Sequence, residues 1–481
     1  MQKTAISQRQ FAFLTISLLI TTALINLPHF LIELSGSDAA FSVIIMAVYG
    51  LAIAAYLVML SKRYPQKNLF EIHEIIFGRI GGTVINLFLL LHIWFVFMRD
   101  IRLFNFFSKV TLLPRTPTEI LLLLFFIVLI YYGSTTIEVS ARVNELLFPI
   151  LLLSQLFLPI LLINQFSFYS VDPYFVQPPS HVGLAGIVGC TWFGDMVVMG
   201  AFLQMLSSKM QMKAAFRFSV VTASFLICLF LTLSILVFGT NITAQQVYPS
   251  FSLAMQIFLT DFFDRLELPF LAIYFPIFFV NTTITFIAMM IGIGTVTKSR
   301  DYTLFNRSLG LLLLLSCILG FRGAIDVNVF SNYGFPFYVL IIEPLAICTV
   351  LIGYWIKETR EKKRSRKSEV SDNSGLSMHE GVKDRTKDDS KARSSPEGTG
   401  GDSKEKDGTA GRPAWPQKKW TSVTNLFIGL AILFAAIGFL VGLDYQKVAT
   451  GCAIGYHLCL LICIYTTYRE AKRSRSEAAH T

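Results

Sequence analysis

The sequence predicts an all-α protein that crosses a membrane many times, and three observations support this prediction. Of the 481 residues, 54% are hydrophobic and only 15% are charged, whereas soluble domains carry about 25% charged residues. The apolar residues occur in blocks of about 20, the length of helix that crosses the hydrocarbon layer. Continuous apolar runs such as 120–130 also exclude the short alternating strands of a membrane barrel.

Twelve spans are predicted from these blocks. They cover approximately residues 11–32, 40–60, 82–110, 119–133, 143–164, 183–205, 217–239, 268–292, 308–326, 335–356, 422–443 and 449–468. The third is long enough to be strongly tilted or to protrude from the membrane.

The basic residues are distributed as in a membrane protein rather than a nucleic-acid-binding protein, although the net charge is +10. Of 41 Lys and Arg, 17 lie between Lys357 and Lys419, 13 in the N-terminus and even-numbered loops, and 4 in the odd-numbered loops. This alternation predicts that both termini lie in the cytoplasm and that the number of spans is even. No nucleic-acid partner is expected.

Four regions follow from these patterns: a ten-helix membrane domain (1–357), a disordered charged cytoplasmic linker (358–420), a transmembrane helical hairpin (421–468) and a basic cytoplasmic tail (469–481). The linker is too polar to bury apolar area that would offset its ordering entropy. Its basic cluster next to the membrane is expected to lie against anionic lipid.

The first span is one of two that the sequence predicts to be broken. It carries Thr21, Thr22 and Asn26 shortly before Pro28, and proline inside a helix removes a donor and clashes with the preceding turn. A break frees backbone N–H and C=O groups that can bind a small polar ligand.

The sixth span is the other candidate, because Gly186, Gly189 and Gly194 weaken it together with Cys190 and Thr191. It lies five spans after the first, as expected of two related five-helix halves. The alternative is that the glycines merely allow close helix packing.

Other polar residues fall at mid-depth. Asn281 and Thr282 in the eighth span could contact a ligand or make interhelical hydrogen bonds. His92 could contact a ligand, relay protons or simply pack. Asp195 could face the cavity, where it could relay ions or protons, or cap an unwound turn.

Charges within spans are costly and need partners. For Arg99, Asp100 and Arg102, the alternatives are neutralisation by Asp264 or Glu267 and extension to the outer interface. Arg322 and Asp326, four residues apart, could pair locally.

The sequence gives little support for an enzyme or for a metal site. His73-Glu74 lacks the second His of a zinc-protease motif, and no nucleophile elbow or phosphate-binding loop occurs. The seven His are scattered, and the seven Cys sit in apolar stretches. No catalytic residue, cofactor or metal is therefore expected.

Residues 1–357 resemble the B subunit of spore germinant receptors, the spore-germination branch of the amino acid–polyamine–organocation carriers. Five stretches carry the resemblance: Tyr64-Pro65 through Gly81, Leu113–Pro117, Ala141–Glu145 with Pro149, Phe193–Asp195, and Tyr248-Pro249 followed by 263–267. Their order and spacing over about 350 residues make it specific.

The resemblance implies a ten-helix, inverted-repeat (5+5, LeuT-like) carrier core with broken helices 1 and 6. It implies sensing of a small nutrient, often an amino acid, in the spore inner membrane with an A subunit and a lipoprotein C subunit. The implied pocket comprises Thr21, Thr22, Asn26, His92, Gly189, Cys190, Thr191, Phe193, Gly194, Asn281 and Thr282.

Two features depart from the family. Relatives tend to have Gly-x-Gly where this chain has Thr21-Thr22-Ala23, and the added Cβ atoms narrow the approach of a ligand carboxylate. The linker and hairpin exceed the usual family length, so the hairpin could be a fused accessory subunit or a plain anchor.

Three classes of function remain open at this point. The leading hypothesis is a receptor whose nutrient-bound conformation is read by partner subunits. The rival is a proton- or Na⁺-coupled amino acid permease with His92 or Asp195 as relay. A scaffold that binds no ligand would leave helices 1 and 6 intact.

Overall fold

The computed structural model describes residues 6–167, 174–206, 208–257, 267–299, 301–376, 415–442 and 445–479. These residues form sixteen α-helices: α1 (Gln8–Ile20), α2 (Ala23–Ser35), α3 (Ala39–Arg63), α4 (Leu69–Thr111), α5 (Thr118–Gly133), α6 (Ile137–Leu161), α7 (Pro179–Gly194), α8 (Lys209–Phe238), α9 (Thr240–Gln245), α10 (Pro249–Met255), α11 (Glu267–Thr297), α12 (Asn306–Leu319), α13 (Ala324–Val329), α14 (Phe335–Leu376), α15 (Gln417–Val441) and α16 (Gln446–Ala479). Short 3₁₀ segments cover Gly36–Asp38, Ile163–Gln165, Asp195–Met205 and Tyr302–Phe305, and a π-helical turn covers Phe330–Gly334.

All twelve predicted spans coincide with helices, which confirms the all-α membrane fold. Ten helical segments in the described ranges are long and apolar enough to cross a membrane, and α5 is a shorter apolar helix. The first predicted span is divided into α1 and α2, each of 13 residues. Neither half alone has the length of about 20 residues that crosses the hydrocarbon layer.

The third predicted span extends well beyond the apolar block. Helix α4 has 43 residues and contains a non-helical kink at Gly78, where φ is 75°. That left-handed region suits glycine, which has no Cβ to clash there. The kink separates a short leading segment, which carries His73, from the long membrane-crossing part of α4.

The interruption of the first span falls at Thr21 and Thr22, earlier than proline alone would place it. Pro28 lies inside α2, where it cannot donate a hydrogen bond to the carbonyl of Leu24. The hydroxyl of Ser250 donates to that carbonyl instead, so the helix continues through the proline. The hydroxyl of Tyr274 donates to the carbonyl of Thr21.

The sixth span changes its helix type rather than unwinding. Helix α7 ends at Gly194, and a 3₁₀ helix of 11 residues continues from Asp195 to Met205. Runs of 3₁₀ helix longer than three or four residues are uncommon. Both helices predicted to be broken are therefore interrupted, the first at Thr21 and Thr22, whose dihedral angles stay in the right-handed helical region, and the sixth at the change of helix type after Gly194.

Two glycines of α7 serve close packing against α3. A Cβ atom on Gly189 would lie 2.5 Å from Sδ of Met46, and one on Gly186 would lie 2.6 Å from Cδ1 of Ile45. This geometry supports the packing interpretation for both positions.

The predicted hairpin, α15 and α16, packs against α8 and to a smaller extent against α3. Helix α14 continues to Leu376, so residues 358–376 of the predicted linker are helical in the structure, and the disorder expected of the linker as a whole stays a prediction. Residues 377–414 of that linker lie outside the described residues. Helix α16 likewise extends through the basic tail to Ala479. The assignment of these regions as separate domains stays a prediction.

Candidate binding site at the interrupted helices

A buried cluster of three charged residues lies where α4 meets the interrupted sixth span. The guanidinium of Arg99 donates from Nη2 to Asp195 (2.5 Å) and from Nη2 and Nε to Oδ1 of Asp100 (2.7 and 3.0 Å). The Arg99 side chain is 0% exposed, and those of both aspartates are nearly so. The three groups, when ionised, carry one more negative than positive charge.

Aromatic rings complete the surroundings of Arg99. Its guanidinium carbon lies 4.0 Å from the ring centroid of Trp192 on α7 and 4.5 Å from that of Phe335 at the start of α14. Such cation–π contacts are strongest where water is excluded. The expectation that Arg99 extends to the outer interface is therefore wrong, because its guanidinium is buried and paired with Asp100 and Asp195. The side chains of Asp264 and Glu267, the other expected partners, lie outside the described residues.

Two polar side chains predicted to bind ligand face this cluster without hydrogen bonds of their own. Thr22, at the interruption of the first span, and Asn281 on α11 both lie next to the carboxylate of Asp100. The Thr22 hydroxyl and both amide atoms of Asn281 are buried and have no hydrogen-bond partner. Because buried polar groups are nearly always hydrogen-bonded in native proteins, the Asp100 carboxylate is the partner that the protein itself offers to both side chains.

The remaining predicted residues of the sixth span make mainly structural contacts. The Thr191 hydroxyl donates to the carbonyl of Val188, and the sulfur of Cys190 lies 3.8 Å from the carbonyl oxygen of Ile45 on α3. The ring of Phe193 packs against Gly50 of α3, since a Cβ there would lie 2.6 Å from its Cδ1.

Three other predicted residues are also engaged within or next to their own helices. The amide of Asn26 donates to the carbonyl of Thr22 (3.0 Å), and the Thr282 hydroxyl donates to the carbonyl of Phe278 (2.9 Å). The Thr21 hydroxyl donates to the carbonyl of Ser17. None of the three thus presents its donor to the charge cluster.

His92 lies on α4, to one side of the charged cluster. Its ring is buried beside Phe335 and Tyr338, with centroids 6.1 and 6.3 Å away, and its Nε2 atom has no hydrogen-bond partner. It lines a cavity that also contains the carboxyl of Glu343 from α14. Glu343 was not predicted to belong to the site, although a lone carboxyl within an apolar span is a recognisable signal.

Gly194 provides the room for that carboxyl. A Cβ atom on Gly194 would overlap Oε2 of Glu343. This predicted site residue therefore acts through the space it leaves.

The other intramembrane charges have different partners from those expected. Arg102 donates from Nη2 to the carbonyl of Phe321 (3.2 Å). Asp326 accepts from the backbone N–H of Arg322 (3.0 Å) rather than from its side chain. The first contact ties α4 to the segment that follows α12, and the second lies within that segment.

The cavities around the cluster are small. The one lined by His92 and Glu343 has a volume of about 40 Å³, and one lined by Thr21, Gln155 and Tyr274 has about 10 Å³. A single water needs about 10–15 Å³ by the same measure. Entry of a solute as large as an amino acid therefore requires the helices to move apart.

The comparisons with known proteins agree with this architecture. Residues 5–322 match the family described as spore germination protein. Spore germination protein KB of Bacillus subtilis (strain 168) is 22% identical over 381 residues, 76% of this chain and 100% of the relative. Spore germination protein YndE of the same organism is 21% identical over 358 residues, 73% of this chain and 97% of the relative.

A solved structure shows the same fold. The chain superposes on Mhp1, a nucleobase-cation-symport-1 family transporter in a closed conformation with bromovinylhydantoin bound, with a TM-score of 0.53 and 13% identity. The superposition covers 98% of this chain and 94% of that one. The family and the fold are those of transporters or receptors. The chain is thus a multi-pass membrane protein with a LeuT-type fold, and it belongs to the spore germination protein family.

Proposed function

We propose that this protein is the nutrient-sensing membrane subunit of a spore germination receptor, which binds a small solute where its first and sixth spans are interrupted. The observation that carries the proposal is the buried Arg99–Asp100–Asp195 cluster beside the unpartnered side chains of Thr22 and Asn281. A scaffold that binds nothing would gain no advantage from two interrupted helices and unsatisfied polar atoms.

The chemistry of the cluster favours a ligand with an ammonium group, such as an amino acid or a related nutrient. The excess negative charge of Asp100 and Asp195 over Arg99 would be balanced by one cation. The hydroxyl of Thr22 and the amide of Asn281 can donate to a carbonyl or carboxylate oxygen. The Cβ of Thr22 leaves less room at the backbone than glycine would, so side chains rather than peptide groups would bind the ligand.

Ligand binding would be transmitted as a conformational change. Because the cavities here hold only a few waters, the ligand would bind a more open arrangement better and shift the population toward it. An A subunit and a lipoprotein C subunit would read this change in the spore inner membrane. The distribution of basic residues supports cytoplasmic positions for both termini.

The alternative is a permease that couples amino acid entry to protons or Na⁺. The observation that favours it is the fold, which this chain shares with a cation symporter. His92 or Asp195 would then be the relay, the former through its unpartnered Nε2 and the latter by releasing Arg99.

Purified protein in proteoliposomes separates the two functions. Radiolabelled L-amino acids would be tested for binding and for uptake with and without proton and Na⁺ gradients. The receptor predicts saturable binding without concentrative uptake, and deletion of the gene should abolish the germination response. Gradient-driven accumulation would support the permease and contradict the receptor. Absence of both binding and uptake, with germination unaffected by the deletion, would contradict both.

A further inference from the structure

Glu343 on α14 is a carboxyl group buried inside the membrane domain without a cationic partner among the described residues. The residue is 5% exposed. Both of its carboxyl oxygens are enclosed and neither makes a hydrogen bond shorter than 3.5 Å; the neutral hydroxyl of Tyr49 on α3 is the polar group that faces them. Among the described residues, no Lys, Arg or His nitrogen lies within ion-pair distance of it, in contrast to Asp100 and Asp195.

The groups around Glu343 do not supply a positive charge. The titratable or charged groups that face it are Tyr49 and Tyr56 on α3, His73 and His92 on α4, Cys190 on α7, Asp195 in the 3₁₀ segment and Tyr338 on α14. Arg99, the nearest cation of the cluster, is already shared by two aspartates. An ionised Glu343 would therefore be an uncompensated buried charge, which is strongly unfavourable.

The cavity beside the carboxyl is unsuited to a metal cation. Its volume is about 40 Å³, and apart from Glu343 its lining is aliphatic and aromatic with two imidazoles, His73 and His92. Hard cations need about six oxygen ligands, and the lining offers only the carboxyl and the Tyr56 hydroxyl. A proton needs no such shell.

The imidazoles can accept a proton from the cavity. Nδ1 of His73 lies 2.8 Å from Oδ1 of Asn86, whose amide nitrogen donates to the carbonyl of Phe70. This arrangement makes Nδ1 the donor and leaves Nε2, which has no partner, as a free acceptor. His73 belongs to the short leading segment of α4, at one end of the span, so the cavity links Glu343 toward that membrane face.

We infer that Glu343 is a proton-binding site, held as the neutral acid while the cavity between α4 and α14 is closed, and that it releases its proton when the cavity opens to water. The inference follows from the isolation of the carboxyl and the small apolar cavity, and it does not depend on the proposed nutrient-sensing function. Gly194 is part of the site, because only a residue without Cβ leaves space for Oε2.

Infrared spectroscopy of the full-length protein in lipid nanodiscs tests this directly, with the proton as the probe. A protonated carboxyl has a C=O stretch distinct from that of a carboxylate, and the band shifts in D₂O. We expect a band at neutral pH in the wild-type protein that is lost in Glu343→Gln and in Glu343→Leu. The exposed Glu33→Gln should retain the band. Thermal unfolding of each variant, compared with wild type, verifies the fold. Two substitutions of different polarity are used so that the experiment can still be interpreted if one of them does not fold.

Three results decide the outcome. A band missing from both folded Glu343 variants, and lost from wild type at alkaline pH, supports the site. An identical band in wild type and both variants overturns it, because the signal then comes from another buried carboxyl such as Asp195. Loss of the band on adding Na⁺ or K⁺ at constant pH also overturns it, because a metal cation would then occupy the carboxyl.

Discussion

The interface of the hairpin and the centre of the membrane domain differ in whether their buried polar groups are hydrogen-bonded. Where α16 meets the core, Nε2 of Gln8 donates to Ser474 (2.9 Å) and Nε of Arg217 donates to Glu470 (3.2 Å). The hydroxyl of Tyr456 donates to the carbonyl of Ala40 (3.0 Å). In the described part of the hairpin, no buried side-chain N or O atom lacks a partner.

At the centre, by contrast, several buried atoms have no partner. They are Oγ1 of Thr22, the amide of Asn281, Nε2 of His92 and both carboxyl oxygens of Glu343. A satisfied polar interface rigidifies a structure, whereas unsatisfied groups lower stability unless something else binds them. The comparison indicates that the polar contacts of the hairpin hold it to the fold, whereas an exchange of partners at the centre is what the proposed function requires.

The largest effect is expected at Arg99. Replacing it in Arg99→Gln leaves two buried aspartates without a cation, and removing one partner of a buried ion pair costs about 3–5 kcal/mol. Thermal unfolding of the purified protein should show this loss. The triple variant Arg99→Gln, Asp100→Asn, Asp195→Asn should recover much of it, because no charge remains buried there.

The half-buried surface pair of Arg473 and Glu477 is the control for this experiment. Arg473→Gln should change the unfolding free energy by less than about 1 kcal/mol, since surface ion pairs contribute little. An Arg99→Gln protein as stable as wild type would contradict the charge balance assigned to the centre.

The next largest effect is expected at the hairpin. Glu470 is 0% exposed and accepts from Arg217 and from the Thr421 hydroxyl (2.7 Å). Glu470→Gln should lower stability by about 1.5–3 kcal/mol, the range for hydrogen bonds to charged groups. Ligand affinity should not change, because the residue is remote from the interrupted helices. A selective loss of nutrient response at unchanged stability would reverse the comparison.

Asn281→Ala should have the opposite effect to Glu470→Gln: it should lower ligand affinity and leave stability nearly unchanged. The amide makes no hydrogen bond shorter than 3.5 Å within the protein and faces the carboxylate of Asp100, so stability should change little. If the amide binds the ligand, affinity should fall about tenfold, or about 1.4 kcal/mol. Fluorescence of Trp192 next to Arg99, titrated with the standard L-amino acids, measures binding, and germination dose–response curves measure function.

Thr283→Ala is the matched control, since the Thr283 hydroxyl on the same helix donates to the carbonyl of Phe279 (2.7 Å). It should leave affinity unchanged. Equal dose–response curves for Asn281→Ala and wild type would remove Asn281 from the site.

The smallest effect is expected for Thr22→Val, which replaces the hydroxyl with a methyl group of similar shape. Loss of one neutral hydrogen bond to the ligand should weaken binding by about 0.5–1.5 kcal/mol, and the unfolding midpoint should stay constant. A wild-type dissociation constant would show that the hydroxyl is not used.

The sequence was sufficient to predict the membrane spans but not the pairing at the centre. Apolar length alone identifies a helix that crosses a bilayer, and Thr22 and Asn281 stood out as polar groups at mid-depth. Asp195, however, is 96 residues from Arg99, and a single sequence carries no information on which distant side chains meet. For the same reason, the glycines of α7 could not be assigned to packing or to a ligand before their neighbours on α3 were known.

Glu343 is a residue that the sequence makes visible but whose surroundings only the structure shows. It is the one acidic residue in the predicted span 335–356, which is enough to mark it as a candidate. The denser group of charges at Arg99, Asp100 and Arg102 is the more conspicuous feature of the sequence. The isolation of Glu343 could be recognised only from the structure, which shows that no cation of the described residues approaches it.

Pro344 directly follows Glu343 in α14, and it removes one backbone hydrogen bond at that level. From there the helix runs uninterrupted to Leu376, a length of about 48 Å at 1.5 Å per residue. A tilt of about 5° at Pro344 would displace the far end by about 4 Å, given that length. Any tilt of α14 at Pro344 would thus be magnified along the helix, because the displacement of a helix end grows with its distance from the pivot.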